Sequence, residues 1–507
     1  RSVAEVREGA VVLDGGEEIA SHLTIGAAGA RPWDWLAGTG LALNHGYLDV
    51  DVRLRTSDPA VYAAGDCAHL TASPRPKAGV YAVRAAQVLA HNLHAALTGG
   101  LPHSFHPQQD FLKLISLGGK DAVGEKFGLT LSGPAIWRWK DRIDRRFMAR
   151  LGTFRPMLVP PPPRDAAPGV AEELAGGKPL CGGCGAKVGP DALTGVLDRT
   201  PLPARDDVNR LPGDDSAVIV MGEMRQVIST DHLHAFTEDP WLMARIAAVH
   251  AMGDIWAMGA EPQAAVATVI LPRMSEALQA RYLEEIMAGA SVAFGAAGAA
   301  VAGGHTSLGS ELTIGFTVTG LLPGEPVTRA GAKPGDALIL TRPIGSGTIL
   351  AAEMTLDAPG DTVAAALGRM CHPQIAASRT LARAHAMTDV TGFGLAGHLL
   401  GICRDSGVAA ELSLDAIPVF AGAAALAARG IRSTLYPANA AAVLPFITLP
   451  DDPRTPLLFD PQTAGGLLAA LPEDAAAAAV AALNDKGVPA ARIGRIVAGP
   501  PRISVTR

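Results

Sequence analysis

The segment LCGGCGAKVGP (Leu180–Pro190) sets two cysteines and a lysine among glycines. Cys184 as a thiolate is a soft nucleophile suited to a soft chalcogen. Lys187, three residues on, supplies a cation that favours the thiolate and neutralises phosphate charge. Cys181 and Cys184 alone are half of a zinc site; Cys371 and Cys403 are distant and single, so a structural zinc is not expected. A thioredoxin-like pair would need a preceding strand, and the residues before Cys181 read as linker. A second set is acidic: Asp214 and Asp215 in GDDSAV, Asp231 in ISTDHL, Asp254 in AMGDIWAMG and Asp389 in MTDVTGFG. Any one of them could simply cap a helix or end a strand. Together they offer the hard oxygen ligands that Mg²⁺ and a polyphosphate require. AGGHTSLGSE (Ala302–Glu311) reads as a Gly-Gly turn whose backbone can approach phosphates. DPQTAGGLL (Asp460–Leu468) is a weaker Gly-rich turn. The Gly-x-x-x-x-Gly-Lys-Ser/Thr loop and the protein-kinase signatures are missing.

The elements that must position these residues fall into separate blocks. A chain of 507 residues suggests about three domains. With 48% hydrophobic and 18% charged residues it should fold. A net charge of −6 argues against nucleic-acid binding. Five cysteines in this length read as a reducing, cytoplasmic compartment. No signal peptide or membrane-spanning stretch is evident. The chain opens on Arg1, consistent with a fragment or a processed product. VPPPPRDAAPG marks an extended linker. The boundaries read from composition are 1–155, a linker over 156–179, then 180–325 and 326–507. In the later part QAAVATVILP, ELTIGFTVTGLLP and GDALILTRPIGSG read as strands. DPWLMARIAAVHAMGDIWAMGA reads as a helix capped by Asp239 with Pro240 in its first turn.

In the first block, DPAVYAAGDCAHL reads as an apolar strand ending in Gly65-Asp66, which would set a carboxylate at the ligand-binding edge of an α/β fold. TIGAAGARP, VYAAGDCA and the Ala-rich helix that follows resemble the C-terminal half of FAD-dependent pyridine-nucleotide oxidoreductases, especially NADH dehydrogenase-like flavoproteins. The resemblance implies that Asp66 hydrogen-bonds the sugar-like chain of FAD. No Gly-x-Gly-x-x-Gly loop precedes Asp66, so the block reads as a partial FAD/NAD(P)-binding Rossmann-like domain. PAIWRWKDRIDRRFMARL reads as a solvated amphipathic helix closing the block, and membrane contact is not expected.

GCGAK, GDDSAV, ISTDHL, MGDIWAMG, AGGHT, DVTGFGLAGH and DPQTAGGLL occur in the order seen in selenophosphate synthetases (selenide, water dikinases), over residues 180–507. That resemblance implies an aminoimidazole ribonucleotide synthetase-like module of two α+β halves, with ATP between them, in a homodimer. It implies ATP + selenide + water → selenophosphate + AMP + phosphate, for selenocysteine and selenouridine synthesis. Carried over, Cys184 and Lys187 are the catalytic pair of a mobile arm. Asp215, Asp231, Asp254 and Asp389 hold Mg²⁺ and the ATP phosphates, with Asp215, Asp254 and Asp389 on the metal. Gly303, Gly304 and His305 are the nucleotide loop. Ala186 stands where many relatives have a second cysteine, and His250 where many have asparagine; the resemblance assigns His250 no role. A flavoprotein beside a selenide-using enzyme suggests delivery of reduced selenium. The competing reading is an FAD-dependent NAD(P)H oxidoreductase with a regulatory nucleotide-binding module.

Overall fold

The computed structural model describes residues 3–24, 30–152, 165, 167, 169, 181–189, 203–209, 216–322 and 324–507. Most of the proline-rich linker, and Asp214 and Asp215 of GDDSAV, lie outside the described residues. The chain divides into two compact units, Arg1–Thr153 and Phe154–Arg507.

The first unit is built from small sheets and two long helices. Tyr47–Val50 pairs in parallel with Ala68–Leu70, and the Gly79–Thr98 helix follows. Its core is small: Leu36, Leu48, Val50, Leu54, Ala63, Ala68, Ala85 and Phe105. The strand expected before Asp66 lies after it. Asp58 to Ala64 is irregular, because the Val61 N–H turns back to the Asp58 carbonyl and the Val61 carbonyl takes the Thr56 N–H. Asp66 sits in the single turn Gly65–Cys67, directly before the Ala68–Leu70 strand. The Pro134–Leu151 helix buries no residue fully and carries the i,i+4 pairs Lys140–Asp144 and Arg145–Asp141.

The second unit rests on two sheets. The first has six strands in the order Val208–Asn209, Ala217–Met221, Met224–His234, Thr313–Leu322, Glu261–Pro272 and Ala300–Gly309. Against it lies the Pro240–Ala257 helix. Asp239 caps it by accepting from the Leu242 N–H at 2.9 Å, and Pro240 stands where no N–H is needed. This helix is apolar on nearly every side, which suits a helix buried all round. The second sheet has seven strands, with Ala386–Asp389 at one edge beside Leu467–Leu471 and Ala337–Leu340. One continuous core spans both sheets.

The turn expected at Ala302–Glu311 is corrected by the structure. Ala300–Gly309 is a strand, running parallel to Glu261–Pro272 with Gly303 opposite Val266, Gly304 opposite Ala267 and His305 opposite Thr268. Gly304 serves close strand approach: a Cβ there would stand 2.3 Å from the Ala267 carbonyl oxygen, whereas nothing lies within 4 Å of a Cβ on Gly303.

Candidate active site

Alternation along the Met224–His234 strand places Val227, Ser229, Asp231 and Leu233 on one face. Val227 and Leu233 are fully buried, so Ser229 and Asp231 are carried inward between them. The neighbouring helix presents His250 and Asp254, four residues apart and therefore on one face. Asp389 enters from the second sheet at the end of its edge strand and is 2% exposed. Gly253 lets it in: a Cβ there would stand 2.4 Å from Asp389 Oδ2. The Gly183–Ala186 turn brings Cys184, which is fully buried.

Four of these side chains form a continuous path. Cys184 Sγ lies 3.2 Å from His250 Nε2. The same nitrogen lies 2.9 Å from Asp231 Oδ2, and Lys187 Nζ donates to that oxygen at 3.0 Å. The Ala464 N–H donates to His250 Nδ1 at 3.3 Å. A donor at Nδ1 requires its lone pair, so the neutral ring carries its proton on Nε2, facing Asp231 and Cys184. Asp254 accepts from the Ser229 hydroxyl.

The charges act on one another strongly. Burial raises Asp231, but His250 and Lys187 outweigh it and hold the carboxyl far below its usual range. Burial lowers Lys187, but Asp231, Cys184 and Asp254 outweigh it and hold the ammonium charged. Burial likewise lowers His250, and Cys184 and Asp231 together pull it well upward; the Ala464 donor describes the ring before it takes a second proton. Asp254 is pushed well above the carboxylate range by burial, then by Asp389 and Asp231. Burial pushes Asp389 up to about 6, against the pull of His250 and Lys187. Asp389 Oδ1 is buried without a hydrogen-bond partner among the described residues. Two carboxylates raised in this way, one with an open oxygen, are what a hard divalent cation relieves.

Of the residues expected from sequence, the structure brings together Cys184, Lys187, Asp231, Asp254 and Asp389. Asp215 lies outside the described residues. Gly303, Gly304 and His305 stand on the exposed outer strand of the six-stranded sheet. Among the described residues no hydrogen bond or ion pair joins them to this cluster. Asp66 belongs to the other unit, where it lines a pocket with Gly65, Arg75, Lys77 and Tyr81. His250 is the member whose role the sequence left open. Its signal was the spacing: four residues before Asp254 on one helix, it must share the face of a residue already singled out.

Comparison with known proteins gives this arrangement a class. The AIR synthase related protein models match residues 213–322 (N-terminal domain) and 333–505 (C-terminal domain). The pyridine nucleotide-disulphide oxidoreductase model matches residues 1–87. The second unit is thus an AIR synthase-related two-domain module, joined to an oxidoreductase-related segment. A selenide, water dikinase of Geobacter metallireducens is 37% identical over 335 residues, 63% of this chain and 95% of that protein. Another, from Myxococcus xanthus, is 37% identical over 336 residues, 64% of this chain and 95% of that protein. A solved structure of a Thermus thermophilus protein is 22% identical with a TM-score of 0.49, covering 62% of this chain and 96% of that one. The chain belongs to the selenide, water dikinase family.

Proposed function

We propose that this chain makes selenophosphate from selenide, water and ATP, releasing AMP and phosphate. The observation that carries the reading is the path Cys184–His250–Asp231–Lys187, buried at its Cys184–His250 end, beside Asp254 and Asp389. It sets a soft nucleophile next to carboxylates fit for a metal and a cation fit for phosphate. Such a site suits phosphoryl transfer, which depends on positioning and on neutralising charge. In this reading Cys184 handles selenium, Lys187 faces the phosphates, and Asp231 holds Lys187 and His250 in place.

Asp254 and Asp389 would hold Mg²⁺, with Asp215 as a third ligand. The Asp389 oxygen without a partner among the described residues and the upward shift of both carboxyls support that fit. Bound there, the metal would neutralise developing charge on phosphate oxygens. A homodimer through this module is part of the same reading. In the first unit, Asp66 and its pocket fit one part of FAD only. The glycine loop that would cradle the pyrophosphate does not precede Asp66 in this sequence. Among the described residues, no helix is long and apolar enough to cross a membrane.

The test is anaerobic incubation of the chain with ATP, Mg²⁺ and selenide, followed by phosphorus NMR. A selenide-dependent phosphorus signal with AMP and phosphate is expected. ATP turnover to ADP without that signal would point to another kinase on this fold.

A further inference from the structure

DPQTAGG (Asp460–Gly466) looked in the sequence like an ordinary glycine turn, yet it touches both members of the sulfur–imidazole contact. Thr463 Oγ1 accepts the Cys184 N–H at 3.2 Å. The next residue, Ala464, donates its N–H to His250 Nδ1 at 3.3 Å. Two adjacent residues therefore hold the cysteine by its backbone and the histidine by its ring.

The segment is itself firmly fixed. Gln462 Oε1 accepts from the Gly345 N–H at 2.9 Å, the Ser346 N–H at 3.1 Å and the Ser346 hydroxyl at 3.0 Å, at the start of the Ser346–Met354 helix. Ser346 Oγ in turn accepts the Thr463 N–H at 3.1 Å. Gln462 Nε2 donates to Asp460 Oδ2 at 3.0 Å, and Asp460 Oδ1 accepts from Thr348 at 2.9 Å. Arg342 donates to the Ala464 carbonyl. Asp460, Gln462, Thr463 and Ala464 are each no more than 2% exposed. Ala464 is held at φ 47°, an uncommon conformation for alanine, which persists only where the surroundings dictate it. That conformation accompanies the aim of its N–H at His250.

We propose that Thr463 and Ala464 are positioning residues: they form a seat that fixes the Cys184 sulfur against His250 Nε2–H, and so sets where selenium is received. The hydroxyl of Thr463 fixes the cysteine backbone. The Ala464 N–H meets His250 Nδ1 and so fixes the orientation of the ring, with Nε2 facing the sulfur. The inference rests on Cys184 being the selenium-handling residue, and its test can be read without selenide.

The experiment uses the full chain and the rate at which iodoacetamide alkylates Cys184, followed by peptide mass spectrometry. Thr463→Val keeps the shape and removes the hydroxyl; Thr463→Ser keeps the hydroxyl. We expect Thr463→Val to raise the alkylation rate about fivefold to tenfold, the scale of one lost hydrogen bond. In selenide-dependent turnover kcat should fall by a similar factor while KM for ATP holds, and Thr463→Ser should behave as wild type in both assays. Wild-type reactivity in Thr463→Val, or equal gains in Thr463→Val and Thr463→Ser, would overturn the seat. Should Thr463→Val fail to fold, Thr463→Ala against Thr463→Ser makes the same comparison. Full selenide-dependent activity in Cys184→Ser would remove the underlying reading of Cys184, while the alkylation result would still decide whether the seat exists.

Discussion

Cys184 Sγ and His250 Nε2 stand 3.2 Å apart in the core, although 66 residues separate them in the chain. The contact joins the turn that carries Cys184 to the helix that carries Asp254, the selenium-handling residue and one of the metal ligands in the function proposed above. Replacing His250 by alanine should lower kcat about 10- to 100-fold, the scale of a misplaced reacting group. Asparagine there, which keeps a polar side chain at the position, should restore part of the loss. Steady-state selenide-dependent turnover of the two variants is the measurement, and wild-type turnover in the alanine variant would contradict the role.

Asp389→Asn should separate activity from stability. The carboxylate is buried beside Asp254 and raised to about 6, so its ionised form costs folding energy at neutral pH when no metal is bound. Removing the charge should stabilise the metal-free chain by on the order of 1–3 kcal/mol and abolish most turnover. Thermal unfolding with and without Mg²⁺ checks this. A lower midpoint for the variant without metal would count against it.

His398 should set an acid limit on stability. Burial, then Arg329 and Lys187, push its ring down to about 3, and the Thr391 N–H donates to its Nε2 at 3.1 Å. The unfolded chain takes up the proton near pH 6.5 and the folded one does not. Stability is therefore full above about pH 6.5 and is lost as pH falls toward 3, by ~2 kcal/mol at pH 5. Thermal midpoints measured from pH 7.5 to 5 should fall less steeply in His398→Gln than in wild type.

Gly253→Ala tests the close approach of Asp389 to the helix. Helix propensity favours alanine by roughly 1 kcal/mol. The new Cβ would stand 2.4 Å from Asp389 Oδ2 and push the carboxylate aside. The expected outcome is a higher Mg²⁺ requirement and reduced turnover, with the fold retained. A Mg²⁺ titration of activity beside a circular dichroism melt reads both.

Much of this site was legible because short motifs fix where a side chain must point. The capped helix holding Asp254 was read from the sequence, and the Met224–His234 and Ala386–Asp389 strands bring Asp231 and Asp389 to the same place, with Cys184 and Lys187 delivered by their own turn. His250 was harder to see, since a single histidine in an almost wholly apolar helix is equally a core residue. DPQTAGG stood out as one of the ordered motifs, but its place beside Cys184 and His250 did not, because the contacts come from a backbone N–H and one hydroxyl, which no residue pattern announces. The glycines at 303 and 304 misled in the other direction: Gly-Gly suggests a turn, while both lie in a strand and Gly304 lets it close on its neighbour. Before Asp66, a local backbone turn overrode apolar residues that looked like a strand.

Asp231, His250 and Asp254 come from the first sheet and its helix, whereas Asp389 comes from the second sheet and Thr463 and Ala464 from the turn that leads into its Leu467–Leu471 strand. Neither half owns a competent centre. Any loosening that parts the two halves by the width of a water molecule would silence the chemistry while each half kept its secondary structure. The enzyme therefore carries a gauge of its own assembly: turnover should vanish at lower denaturant than the far-ultraviolet helix signal.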